Sequence, residues 1–143
     1  RALLRPIVFG YIAKSTMAIN RVSHITVYVT DQDEALVWYQ EKLGFEVCMD
    51  NDAVVPGMRW LTVCPAGNQA TQFVLVQVRE ESDVSRVGTN LMTVLSSTDC
   101  IGDMARLARE GVEIVGPPEE VPWGISGVIR DLYGNPYNLV GPG

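Results

Sequence analysis

Histidine is nearly absent from this sequence: there is one, His24, in 143 residues. No cluster of imidazoles can be built from it, and no second histidine exists to activate a nucleophile such as Cys100. Cysteine is sparse as well. Cys48, Cys64 and Cys100 are odd in number, widely spaced and form no paired-cysteine motif. That usage predicts free thiols in a reducing cytoplasm rather than a disulfide framework. Positive charge is scarce: 11 Lys and Arg against 17 Asp and Glu leave a net charge of −6. Without a basic stripe to meet phosphates, the chain is not expected to bind nucleic acid. No apolar run reaches the ~20 residues that cross a bilayer as a helix, so no membrane partner is expected. Gly67 and Gly134 open no helix, which excludes a phosphate loop.

What is present is an ordinary globular composition, with 47% hydrophobic and 20% charged residues, enough for one domain with a sizeable core. Residues 1–19 read as an N-terminal extension. Within it, "RALLRPIVFGYIAKST" is apolar but broken by Pro6, Gly10 and Lys14, and Met17 looks like a natural start. An apolar tail of this kind is expected to dock across a subunit interface or against a sheet.

The rest repeats itself. "VTDQDEALVWYQEKLGFEV" (29–47) and "STDCIGDMARLAREGVEI" (97–114) both begin near Thr-Asp and end Gly, apolar, Glu, apolar. Gly44 and Gly111, Glu46 and Glu113, Gly67 and Gly134, and Asn68 and Asn135 all lie 67 residues apart, and the Thr-Asp pairs 68 apart. This divides the chain into modules at 20–85 and 86–143.

In each module a strand comes first. Ile25, Val27 and Val29 alternate with His24, Thr26 and Tyr28, a period of two. Thr30 or Asp31 then caps a helix with Glu34 placed for a capping box, and Gly44 ends it. Three short strands follow, near 45–49, 58–64 and 71–78. The second module repeats this with a strand at 91–96, a helix at 99–110 and strands at 112–115, 126–131 and 136–140. One helix covers one sheet face, so Ile25, Val27 and Val29 should meet it while His24, Thr26 and Tyr28 face the other way.

The tandem βαβββ order, with "HITVYV", "KLGFEV" and "RDLYGNPYNLV", resembles the vicinal-oxygen-chelate superfamily of glyoxalases, bleomycin-resistance proteins and extradiol dioxygenases, over about residues 20–140. The resemblance implies an α+β fold in which two tandem βαβββ modules form a cupped mixed sheet around a ligand cavity, in a homodimer. In the metal-dependent members, first and fourth strands of each module supply His, Glu or Gln to a divalent ion that acts as a Lewis acid. Those positions map here to His24, Met92, Asn138 and one of Thr71, Gln72 or Val74. Only His24 is a good ligand. A thioether and carboxamides are poor substitutes for imidazole and carboxylate.

The expected cavity is therefore lined by His24, Thr26, Tyr28, Trp60, Met92, Ser96 and Asn138, binds a small, partly apolar molecule and needs no metal or other cofactor. His24 is the best catalytic candidate, although nothing is identified to orient its ring. Trp123 lies on a loop able to cover the cavity. Cys100 reads as an ordinary helix-start residue. Two alternatives stand beside this reading: a divalent-metal lyase, isomerase or dioxygenase using His24 with Gln72 and Asn138, and a drug-sequestering protein without catalysis.

Overall fold

Asp31 and Asp99, the acidic halves of the two Thr-Asp pairs, each close the N-terminus of a helix. In the computed structural model, which describes residues 18–142, Asp31 accepts from the Glu34 amide at 2.9 Å and Asp99 from the Gly102 amide at 3.0 Å. Both satisfy amides that have no partner within the helix. The docking expected of residues 1–16 lies outside the described residues.

The chain order is β1 (His24–Val29), α1 (Gln32–Leu43), β2 (Phe45–Val55), β3 (Met58–Pro65), β4 (Gln72–Gln77), α2 (Glu81–Val84), β5 (Thr93–Ser96), α3 (Cys100–Arg109), β6 (Ile114–Val121), β7 (Gly124–Arg130) and β8 (Pro136–Gly141). Two βαβββ modules are thus present, joined by a linker that holds the single turn α2. Each forms a four-stranded mixed sheet of identical topology, β1-β4-β3-β2 and β5-β8-β7-β6. In each, the first and last strands are parallel and the others antiparallel.

The outer strands β2 and β6 run further than their sequences suggest. Val55 pairs with Met58 across Pro56-Gly57, and Val121 with Gly124 across Pro122-Trp123. Both extensions are solvent-exposed on nearly every residue, so they carry no alternation of burial to read. Trp123 occupies the second hairpin tip and is 69% exposed.

The expectation of free thiols is corrected. Cys48 and Cys64 form a disulfide between β2 and β3, with Cα atoms 6.4 Å apart. Cys48 sits where the β2–β3 register slips, between Val47 and Met49, and that slip brings residues 16 apart in sequence within bonding reach. Only Cys100 is free. The cysteines therefore no longer argue for a reducing cytoplasm.

The alternation on β1 holds: Val27 and Val29 are buried and Ile25 partly so, while His24 and Thr26 are exposed. Val27, Leu61, Val63, Phe73 and Leu75 meet Ala35 and Tyr39 of α1, and Met104 and Leu107 of α3 join Ile125, Ile129, Tyr137 and Leu139 in the same core. The two halves merge at an aromatic group. Tyr39–Phe45, Phe45–Phe73, Phe73–Tyr137 and Tyr39–Tyr137 centroids lie 5.9, 5.6, 6.1 and 6.2 Å apart, within the range of favourable tilted ring pairs. The helix sides of the modules therefore bury each other. Arg106 of α3 donates to the Lys42 carbonyl at the end of α1 at 2.6 Å, and Lys42 pairs with Glu110 at 3.4 Å. One consequence is that the sheets do not close into a cup within the chain: among the described residues no strand of one sheet pairs with a strand of the other. The apolar helix-side surface drives that arrangement, and it leaves the helix-free face of each sheet turned outward.

Candidate functional site

The helix-free face of the first sheet holds the most chemically varied surface. Strand parity puts His24, Thr26 and Tyr28 of β1 on it. Their Cα partners on β4 are Gln72, Val74 and Val76. Trp60 of β3 reaches the same side: its ring stands edge-on to that of His24, with centroids 5.8 Å apart. His24 Nδ1 lies 3.0 Å from Ser23 Oγ, which ties one ring nitrogen and leaves Nε2 directed elsewhere. Behind the pair, Thr62 donates its hydroxyl to Gln72 Oε1 at 2.7 Å and is fully buried. The face therefore sets an exposed imidazole against a half-buried indole, backed by a fixed amide.

The helix-free face of the second sheet is plainer. Val94 pairs with Asn138, and Asn138 Nδ2 donates to Ser126 Oγ at 2.8 Å and to the Gly127 carbonyl at 3.0 Å. Met92, just before β5, is 51% exposed and Val94 62%. Ser96 is exposed on the same face. Of the seven expected lining residues, His24, Thr26, Tyr28 and Trp60 thus share one sheet face, and Met92, Ser96 and Asn138 share the other. No hydrogen bond or ring contact among the described residues joins the two groups. A hollow of ≈160 Å³ does lie between the modules, but on the helix side, lined by Leu43, Phe45, Leu95, Leu107 and Leu139. Ser96 is its only residue from the expected lining.

Strand register settles which residue corresponds to Asn138. Thr26 pairs with Val74. Val94, 68 residues beyond Thr26, pairs with Asn138. Val74 is therefore the counterpart of Asn138, and Gln72 lies directly opposite His24. The donors available to a divalent ion are one imidazole, a Gln72 oxygen already accepting from Thr62, a thioether and the Asn138 amide. None is a carboxylate or thiolate, and among the described residues no three of His, Cys, Asp and Glu gather to hold an ion. This donor set does not fit a catalytic divalent metal.

Sequence reasoning missed the linker. Asn90 spans both modules: its side-chain nitrogen donates to the Thr26 carbonyl at 2.9 Å, and its amide donates to Asn135 Oδ1 at 3.1 Å. Arg86 donates to the Tyr28 hydroxyl at 3.1 Å, and its guanidinium carbon stands 5.6 Å from the Tyr28 ring centroid. That is a cation–π contact on the edge of the face. Neither residue belongs to a periodic or repeated stretch, so no pattern singles it out.

A buried polar chain lies on the opposite side. Tyr137 donates to the Tyr39 hydroxyl, and Tyr39 to Asp131 Oδ2, each at 2.7 Å. Asp131 also accepts from Asn135 twice and from the Tyr133 amide, all at 2.9 Å. Burial first, then the neighbouring Tyr137 and Asp131, pushes the Tyr39 phenol well above the usual tyrosine value. Burial likewise raises Tyr137. The group fastens the modules and is closed to ligands.

The chain belongs to the glyoxalase/bleomycin resistance protein/dioxygenase superfamily, whose family profile matches residues 21–139. It is 31% identical to an uncharacterized protein of Shewanella frigidimarina over 83% of this chain and 91% of that one. Among solved structures it is similar to TnmS3, an antibiotic binding protein from Streptomyces sp. CB03234, at 34% identity and a TM-score of 0.74, covering 89% of this chain and 99% of that one. It is also similar to UcmS2, at 33% identity and a TM-score of 0.74, covering 85% and 98%.

Proposed function

We propose that this protein binds a small, planar, partly apolar molecule on the helix-free face of its first sheet and holds it without transforming it. The observation that carries the reading is the exposed His24 set edge-on against the half-buried Trp60. Stacking surfaces beside Thr26 and Gln72 suit a ligand with one apolar face and a few polar atoms. The similarity to an antibiotic binding protein supports a ligand of that kind. The poor donor set supports binding without a metal. The outer edges of β1 and β5, unpaired among the described residues, and the exposed Met92 and Val94 support a homodimer. A second copy laid over these faces would bury them and wall the ligand in.

The test is a titration with bleomycin and with the neutral three-ring probe anthracene-2-carboxamide, followed by tryptophan fluorescence in the wild type and Trp60→Ala. The reading expects saturable binding of at least one compound, weakened about five- to tenfold in the variant, as stacking contributions of ~1–1.5 kcal/mol imply. Binding equally tight in Trp60→Ala would remove this face as the site.

A further inference from the structure

We propose that Arg86, in the stretch between β4 and β5 that joins the two sheets, sets ligand specificity at this face by receiving an acidic oxygen. The proposal rests on the binding reading above and narrows it to elongated aromatic acids.

The position of Arg86 is built. The linker is pinned on both sides of it. Upstream, the Arg86 amide donates to the Asp83 carbonyl at 2.9 Å. Downstream, Asn90 bonds to Thr26 and Asn135. Between them Gly88, at φ +77°, presses against the second module, where a Cβ would stand 2.1 Å from the Tyr133 carbonyl oxygen. The guanidinium is held over Tyr28 by the ring and by its hydroxyl, and Asp83 approaches Nε at 3.4 Å. Only Nη1 donates a hydrogen bond among the described residues. With Nε beside Asp83, Nη2 and the second Nη1 proton are the donors left without a hydrogen bond among the described residues, on a side chain that is 58% exposed. Such a fork matches a carboxylate or phenolate.

Position also sets ligand length. Tyr28 lies four residues along β1 from His24, on the same face. At ~3.3 Å per residue that is roughly 13 Å. A ligand stacked against His24 and Trp60 reaches Arg86 if it is about three fused rings long with its acid at the far end. The overall charge of −6 disfavours anions in general, so a local cation on this rim would discriminate among them rather than attract all.

The test compares anthracene-2-carboxylate with the neutral anthracene-2-carboxamide by fluorescence anisotropy, in the wild type, Arg86→Gln, Arg86→Lys and Trp60→Ala. In the wild type the acid is expected to bind about fivefold tighter than the amide, an advantage that shrinks as salt rises. Arg86→Gln should abolish the difference, weakening the acid more than the amide. Arg86→Lys should restore part of it. Trp60→Ala should weaken both probes together. If both probes bind equally and Arg86→Gln changes neither, the specificity role is overturned and the binding reading stands. If neither probe binds the wild type, this inference falls, and the binding reading falls with it where bleomycin does not bind either.

Discussion

The Tyr39 hydroxyl donates to Asp131 Oδ2 at 2.7 Å across 92 residues of sequence. It joins the helix of the first module to the turn that precedes the last strand of the second. Both residues are buried, and Tyr137 completes the chain by donating to Tyr39. Removing the Tyr39 hydroxyl leaves Tyr137 without its acceptor and Asp131 short of one donor. Tyr39→Phe is therefore expected to cost about 1–3 kcal/mol of stability, read from urea unfolding, with helix content unchanged in the folded state.

The same pair makes the protein sensitive to alkali. Burial and neighbours raise both phenols in the folded state, while in the unfolded chain each titrates near its ordinary value of about 10. Above that pH the unfolded state binds fewer protons than the folded one, so stability falls as pH rises. Below it, the contribution is fully present. The slope should approach ~1.4 kcal/mol per pH unit per tyrosine. Urea midpoints between about pH 9 and pH 11 should fall steeply in the wild type and less steeply in Tyr39→Phe.

The Cys48–Cys64 disulfide closes a loop between residues 16 apart. Loop-closure entropy for such a loop is worth about 3 kcal/mol. Cys48→Ser with Cys64→Ser is expected to lower the unfolding free energy by about that amount, and dithiothreitol should lower the wild type towards the double variant without affecting the variant itself. Equal stability of both proteins with and without reductant would contradict this.

Gly88 is constrained twice, by a left-handed φ of +77° and by a backbone oxygen that cannot retreat. Gly88→Ala is expected to cost at least ~1–2 kcal/mol. It should also weaken ligand binding, because it displaces the linker that carries Arg86. Glycine at 57 has a similar φ but open space around it, so Gly57→Ala should cost less.

The repeat and the period-two alternation of β1 were enough to read the βαβββ order, a cap at Thr30 or Asp31, and the face to which His24, Thr26 and Tyr28 belong; that Asp31 rather than Thr30 caps the first helix, and that Asp99 caps the second, came from the structure. These depend on local chemistry and on spacing. The direction in which the two modules pack was not legible, because Tyr39, Phe45, Phe73 and Tyr137 each look like core of their own module, and only their meeting shows that the helix sides bury each other. The disulfide was hidden for a related reason: a bulge at Cys48 aligns it with Cys64, and no spacing rule encodes a bulge. Arg86 and Asn90 lie in a linker without periodicity. Their roles come from where the chain is pinned.

Native mass spectrometry of the purified protein with anthracene-2-carboxylate tests the central claim most directly, since one spectrum reports subunits, ligand mass and bound metal. The account predicts a dimer carrying probe of unchanged mass and no stoichiometric metal, with probe retention weakened in Trp60→Ala. A metal ion bound one per chain and lost in His24→Ala, or a probe of altered mass, would contradict it.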